Sequence, residues 1–338
     1  MALPKIRKMI VLKTQEERAK TSPEVEAGAE PELHLESLTW GELTWVNIEA
    51  PTKQETEYLA QHYPFHPLDL DDCLSRKQRP KIDEYEDYIF VILHFPKWYK
   101  DIQIARPSQV SIFLGRNYVV TVHAGELTPL VRLFEVCKNN KQVRQRNMGK
   151  GSVFLAYRII DLLVDYCFPI MDKILSQMDS IEDRVFDESI EASNEIAVVR
   201  RDIIAQRRII WPLRTVIGEL EPKLRKFTKM DMSVYFGDLL DHLNKIWDTL
   251  EECKEVIEVF KDSDYVLSTE RINRVMRILT IFSAIILPFI VISSLFGMNV
   301  HLPGGLTEGY PMSFLLLLLV MALIAAGMLY FFRRKRWI

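Results

Sequence analysis

The chain has 338 residues, a formal net charge of −3, 48% hydrophobic and 26% charged residues, averages that fit an ordinary soluble globule. Residues 278–332 break that average: they hold one formally charged side chain, Glu308, where the chain-wide proportion predicts about fourteen. A wholly soluble chain is thereby excluded, and the near-neutral charge supplies no basic face for nucleic acid.

The opening MALPKIRKMIVLK has an apolar run too short for a signal-peptide core, so membrane insertion is expected from the C-terminal end. Residues 1–36 mix Lys, Glu, Pro and Ala without periodicity and are expected to form a mobile arm. An α/β domain is predicted over 37–150. Its strands are LTWVNI (43–48), DYIFVILHF (87–95), QVSIFLG (109–115) and NYVVTVH (117–123), the last two a hairpin about Gly115-Arg116-Asn117. Lys53–Tyr63 and Leu68–Leu74 read as helices between the first two strands. The run KNNKQVRQRNMGKGS (138–152) lacks the spacing of a phosphate loop and reads as a solvated basic connector. Cys73, Cys137, Cys167 and Cys253 are widely separated, with no CxxC and no His at zinc-ligand spacing, and read as reduced thiols.

From Ser152 onward the periodicity is helical, with breaks expected at Pro169, Pro212 and Pro222 across a region 151–230. After Pro222 there is no proline until Pro288, so one helix is predicted from about Asp231 to Phe296, ~100 Å at helical rise. Its first part, 231–277, is a stalk whose residues 231–264 carry ten acids against three lysines, a net of −7. A second acidic helix is expected over 172–195. Such runs are usually solvated faces, but these acids lead toward the membrane, where they would attract a hard divalent cation.

Ile278–Phe296 and Phe314–Phe332 are each nineteen uncharged residues, long enough to span a bilayer. Arg271, Arg274 and Arg277 precede the first span and Arg333, Arg334, Lys335 and Arg336 follow the second, whereas the connecting loop has no Lys or Arg. Both termini are therefore expected in the cytoplasm, with the outer loop 300–313 on the far side and 333–338 a basic tail. The second span is almost purely apolar and suits lipid. In the first, Asn273, Thr280, Leu287 and Ser294 recur every seven residues and form one stripe. Spacing alone leaves two readings open, a contact between helices or the wall of an aqueous path. Two helices cannot enclose such a path, so the second reading requires a ring of several copies. No HExxH, nucleotide fingerprint or GxSxG is present, and an enzyme is the least favoured class.

The first span ends in Phe296-Gly297-Met298-Asn299, followed by a short loop and a last span closed by a basic cluster and Trp337. With RPKIDEYEDYIFVIL (79–93), DLLVDYCFPIMDKI (161–174), IWPLR (210–214), YFGDLLDH (235–242) and NRVMRILTI (273–281), this combination resembles the CorA-type magnesium transporter family over about residues 40–338.

The resemblance implies a funnel-shaped homopentameric channel. Each copy would have a cytoplasmic α/β domain, a stalk helix running into a first span (278–299) and a second span (314–332) outside the pore ring. It turns the open choice on the stripe toward a pore. It further implies that Gly297, Met298 and Asn299 surround the outer mouth, where amide and carbonyl oxygens can hydrogen-bond hydrated Mg²⁺ without stripping its shell. Asn273 would form an inner polar ring, Thr280 and Ser294 would line the path, and Met276, Leu279 and Leu287 would form a constriction that closes by excluding water. Asp238 would hold a regulatory Mg²⁺ against a neighbouring α/β domain, with Asp101 as the candidate partner carboxylate. No organic cofactor is implied, and the transported ions would be Mg²⁺ with Co²⁺ or Ni²⁺ as further cargo.

One departure concerns the loop. Many family members carry Met-Pro-Glu-Leu after the GMN triplet; here the loop reads VHLPGGLTEGYP (300–311), leaving Glu308 as its only acid and His301 as a ligand for softer metals. A Zn²⁺ transporter of the same superfamily, with or without proton coupling, is therefore a second expectation, although the zinc transporters more often read GVN. A membrane-anchored scaffold or metal sensor without transport is a third, and the aligned polar stripe speaks against it.

Overall fold

A computed structural model describes residues 33–75, 78–185, 192–298, 311–335 and 337, with the side chains of 311–313 excepted. The expected arm lies outside these residues up to Glu32, and the first strand begins at Leu35, inside the segment assigned to it.

The N-terminal part is one six-stranded sheet. Its strands are β1 (Leu35–Trp40), β2 (Leu43–Glu49), β3 (Lys81–Glu84), β4 (Tyr88–Tyr99), β5 (Ile104–Gly115) and β6 (Tyr118–His123), in the order β1-β2-β6-β5-β4-β3. Only β2 and β6 pair in parallel. Alternating side chains leave the two faces of a strand, and here both faces are apolar. Ile89, Val91, Leu93 and Phe95 of β4 enter one core, and Tyr88, Phe90 and Ile92 the other. The second core is closed by α1 (Lys53–His62) and α2 (Pro67–Leu74). The first is closed by α3 (Thr128–Asn139), α5 (Ser152–Asp165), α6 (Cys167–Val185) and α7 (Ser193–Leu224).

Three sequence expectations change. The basic run is not a loop: Asn140 caps a helix, α4 (Lys141–Met148), its Oδ1 accepting from the amides of Gln142 and Val143 at 2.9 and 3.2 Å. The backbone does break at Tyr166, just before Pro169, but Pro212 and Pro222 lie inside α7. An interior proline costs a helix about 3 kcal/mol. Burial of Ile203, Ile210, Leu213, Ile217, Leu220 and Leu224 along the same helix offsets it. The acidic helix expected over 172–195 is divided between α6 and α7, with 186–191 outside the described residues. β4 also runs past its predicted end, because Pro96 stands opposite Pro107 in the β4–β5 register and beyond the reach of short β3.

The long helix is present as α8 (Ser233–Phe296), 64 residues and ~96 Å. Its buried residues are Phe236, Leu239, Leu243, Ile246, Leu250, Cys253, Ile257, Phe260 and Asp264, spaced alternately three and four apart. That seam packs on α5, α6 and α7. Beyond Asp264 only Ile281 is buried within the chain. A last helix, α9 (Pro311–Arg334), lies beside the end of α8.

One buried carboxylate ties the sheet to this bundle. Asp202 of α7 is fully buried, its Oδ1 accepts the Ala105 amide at 2.7 Å and its Oδ2 accepts from Gln206 at 3.3 Å. It thus holds the start of β5, next to the turn that carries Asp101. Burial raises its pKa above the usual carboxylate value. An acid whose folded pKa is raised loses stability as pH climbs from the unfolded value near 4 through the folded one. Asp202→Asn keeps the acceptor and cannot ionise, so it should melt at least as high as wild type at pH 7.5 and abolish that decline. Asp202→Ala strands the amide and should cost about 1–3 kcal/mol, read as a lower melting temperature of the solubilised protein.

Candidate ion path and its acidic flank

Two helices in the described chain are long and apolar enough to cross a membrane, α8 in its last third and α9. Within the first, Ile281, Ala284, Ile285, Pro288, Phe289 and Ile292 are the less exposed residues, and in α9 the corresponding face is Leu317, Met321, Ile324, Ala325, Met328 and Phe332. These faces pack on each other. At about 100° per residue, Asn273, Met276, Leu279, Thr280, Leu287 and Ser294 fall within an arc of about 120°, centred about 150° from the side turned to α9. All six are exposed in the single chain. The stripe is therefore not used to pack the two spans of one copy together.

The Thr280 hydroxyl donates to the Met276 carbonyl at 2.7 Å, leaving its oxygen lone pairs directed outward from the helix. Gly297 ends α8: its amide donates to Ser293 O at 2.9 Å. A Cβ at Gly297 would stand 3.2 Å from that same backbone carbonyl, too close without a shift of the helix end. Met298 follows, 54% exposed. Asn299 and Glu308 lie outside the described residues.

At the other end of α8, Asp238 is exposed beside His242, one turn on. His242 stands between two carboxylates, with Nε2 3.9 Å from Asp238 Oδ1 and Nδ1 3.8 Å from Asp165 Oδ1 of α5. Neither distance is a hydrogen bond, and the shielded Nδ1 has no other partner. Asp161, a turn before Asp165, is bound by Arg158 at 2.6 Å, and burial followed by the charges of Asp165 and Asp238 raises its pKa against the pull of Arg158. Carboxylates from two helices, Asp165 and Asp238, thus flank the His242 ring, and oxygen ligands of this kind suit a hard cation. Asp161, Asp165 and His242 were not singled out from the sequence, although Asp165 lies in DLLVDYCFPIMDKI and His242 closes YFGDLLDH. Asp101 sits in the exposed turn between β4 and β5, and no hydrogen bond or ion pair joins it to Asp238 within the chain.

A tighter group of acids has a different meaning. Asp69, Asp72 and Asp83 place carboxylate oxygens within 4.8 Å of one another. Lys81 already fills that space, its Nζ 2.7 Å from Asp72 and paired with Asp83. Tyr85 and Tyr88 donate to Asp69 at 3.2 and 3.0 Å. An ammonium and two phenols take the positions a metal would need, so this cluster is a structural joint.

A putative metal ion transporter, YfjQ of Bacillus subtilis (strain 168), is 31% identical over 294 residues, 87% of this chain and 89% of that protein. The cobalt/magnesium transport protein CorA of Thermotoga maritima is 29% identical over 304 residues, 87% of this chain and 83% of that protein. The solved structure of the CorA magnesium transporter from Methanocaldococcus jannaschii shares the fold, with a TM-score of 0.74 and 23% identity over 89% of this chain and 94% of that one. The family described as CorA-like Mg²⁺ transporter protein matches residues 40–334, and the chain belongs to it, a divalent metal ion transporter with two membrane-crossing helices.

Proposed function

We propose that the protein carries Mg²⁺ into the cell, with Co²⁺ and Ni²⁺ as further cargo, through the axis of a ring of five copies whose termini are cytoplasmic. The observation that carries this reading is the face of α8 turned away from α9. It presents Asn273, Thr280 and Ser294 together with Met276, Leu279 and Leu287, and it stays exposed among the described residues. Five such faces around an axis would alternate oxygen rings with apolar ones. The apolar rings would expel water when the helices close together and admit a hydrated ion when they part. Gly297, Met298 and Asn299 would form the outer mouth, where Glu308 would gather cations.

Regulation follows from the acids at the start of α8. Asp238 with Asp165 would bind cytosolic Mg²⁺, with His242 and Asp161 fixing their charge, and Asp101 of a neighbouring copy would complete the site across the interface. Filled sites would hold the closed ring, and falling Mg²⁺ would release it, a shift driven by tighter binding to one state. The loop sequence VHLPGGLTEGYP favours a second reading, Zn²⁺ as cargo, because His301 offers an imidazole, a good zinc ligand that a Met-Pro-Glu-Leu loop lacks.

Uptake into liposomes holding the purified protein separates these readings. Mg²⁺ flux is expected, insensitive to a pH gradient; Zn²⁺ flux driven by that gradient would replace it with the second reading, and no flux of either ion would sink both. Gly297→Ala moves the helix end at the mouth and should lower Mg²⁺ flux about tenfold, the equivalent of ~1.4 kcal/mol at a binding step, while the melting temperature stays unchanged. Asp238→Ala should abolish the Mg²⁺-dependent resistance of the stalk to limited proteolysis and leave flux at low cytosolic Mg²⁺ intact. Protection equal to wild type would remove Asp238 from the regulatory role.

A further inference from the structure

α7 is basic where α8 is acidic. Arginines recur along it in two series seven residues apart, Arg200, Arg207 and Arg214 in one and Arg201 and Arg208 in the other. The first series is engaged. Arg200 binds Glu258 of α8 at 2.5 Å, Arg207 pairs with Glu251 and covers the Trp247 ring, and Arg214 covers Trp211. In the second, Arg208 has no hydrogen bond or ion pair among the described residues. Arg201 has the charge of Asp202 nearby, but that carboxylate is already held by Ala105 and Gln206.

Both free guanidinium groups are exposed and border a cavity of about 630 Å³ between α7 and α8, together with Arg200, Lys261, Asp264 and Tyr265. Asp264, whose Oδ2 accepts from Ser193 at 2.5 Å, brings one negative charge to the lining against the four of Arg200, Arg201, Arg208 and Lys261. Arg200 and Lys261 share Glu258, and Lys261 also pairs with Asp262 at 3.4 Å, so these acids and Asp264 still number one fewer than the four cations. The cavity therefore has an excess of positive charge, and its volume matches the ~300–1,000 Å³ of small-molecule sites. Arg is the side chain whose planar fork fits phosphate oxygens. Tyr265, 73% exposed at the rim, offers an aromatic face.

We propose that this cavity binds a phosphate-dense anion, and that the ligand is a soluble polyphosphate such as a nucleoside triphosphate. A phosphorylated lipid headgroup offers the same chemistry. Position along the helix favours the soluble source: Ser268, the lining residue nearest the spans, precedes Ile278 by ten residues. That is ~15 Å of helix, whereas the headgroup layer is only ~5–8 Å deep. The proposal does not depend on which metal ion is transported.

The test is calorimetric titration of the full-length protein, in nanodiscs of neutral lipid at fixed free Mg²⁺, with tripolyphosphate and with ATP. Saturable binding of both is expected, weakened about tenfold or more in Arg201→Ala/Arg208→Ala, the loss of one or two charge-assisted contacts. Arg201→Lys/Arg208→Lys should recover part of it, and Arg146→Ala/Lys150→Ala, on a separate basic surface, should leave it unchanged. Absence of saturable binding, or equal binding by wild type and the double Ala variant, would overturn the proposal. Binding seen only in nanodiscs that contain a phosphorylated inositol lipid, and lost in the double variant, would overturn the soluble ligand and assign the cavity to a headgroup.

Discussion

Everything above the N-terminal domain depends on one seam. Nine side chains of α8, from Phe236 to Asp264, repeat at alternating steps of three and four and are buried against the bundle of α5, α6 and α7. A repeat of 3.5 residues keeps one face of a helix against its neighbours over many turns. It therefore fixes both the axis and the rotation of α8 before the helix leaves the domain. A helix held this way transmits rotation as well as tilt, and the orientation of Asn273, Thr280 and Ser294 is set by contacts made far below them.

The seam ends at Asp264, fourteen residues short of the first span. Up to Asp264 the apolar stripe of α8 is satisfied within the chain, and the flanks are crossed by the ion pairs Arg200–Glu258 and Arg207–Glu251. Past it Ile272, Val275, Ile278, Phe282 and Ile290 are all at least half exposed in the single chain. Water would not tolerate that surface, whereas lipid would, and in the proposed ring further copies would cover the side turned from α9. The acids of α8 and the arginines of α7 also acquire a common logic. Each helix alone carries a charge that would repel its own copies in a ring, and pairing across the bundle removes part of it while leaving selected acids and selected arginines unpaired.

Much of this was legible in the sequence for physical reasons. The two spans stand out because lipid tolerates no charge. The absence of proline between Pro222 and Pro288 let the long helix be read almost to its ends. The strands with two apolar faces were likewise visible as runs of Val, Ile and Phe. What escaped was decided by tertiary packing. β1 buries only Leu38 and β3 buries nothing, so neither carries an alternation to read. Pro212 signals a break that the apolar face of α7 overrides. At the acidic flank, Asp238 was identified through its motif. Asp165 is brought to it by the fold from 73 residues away, and only its place in another family-like stretch could have pointed to it.

The chemistry of the spans narrows where discrimination between ions can reside. From Ile278 to Phe296 there is no carboxylate, and Thr280 spends its proton on the Met276 carbonyl. A divalent cation stripped of water in that stretch would meet only neutral hydroxyl oxygens, with no carboxylate to offset the loss of six water ligands at ~2.1 Å. In the proposed pore it would pass with much of its hydration intact, the hydroxyl lone pairs hydrogen-bonding that shell. Discrimination in such a pore would fall to the ends of the path, where backbone amides and carbonyls are freed by the termination of α8 at Gly297 and where Asn273 stands among three arginines. In the proposed pore, ion identity would then depend on how the helix stops at Gly297 more than on the length of the stripe below it.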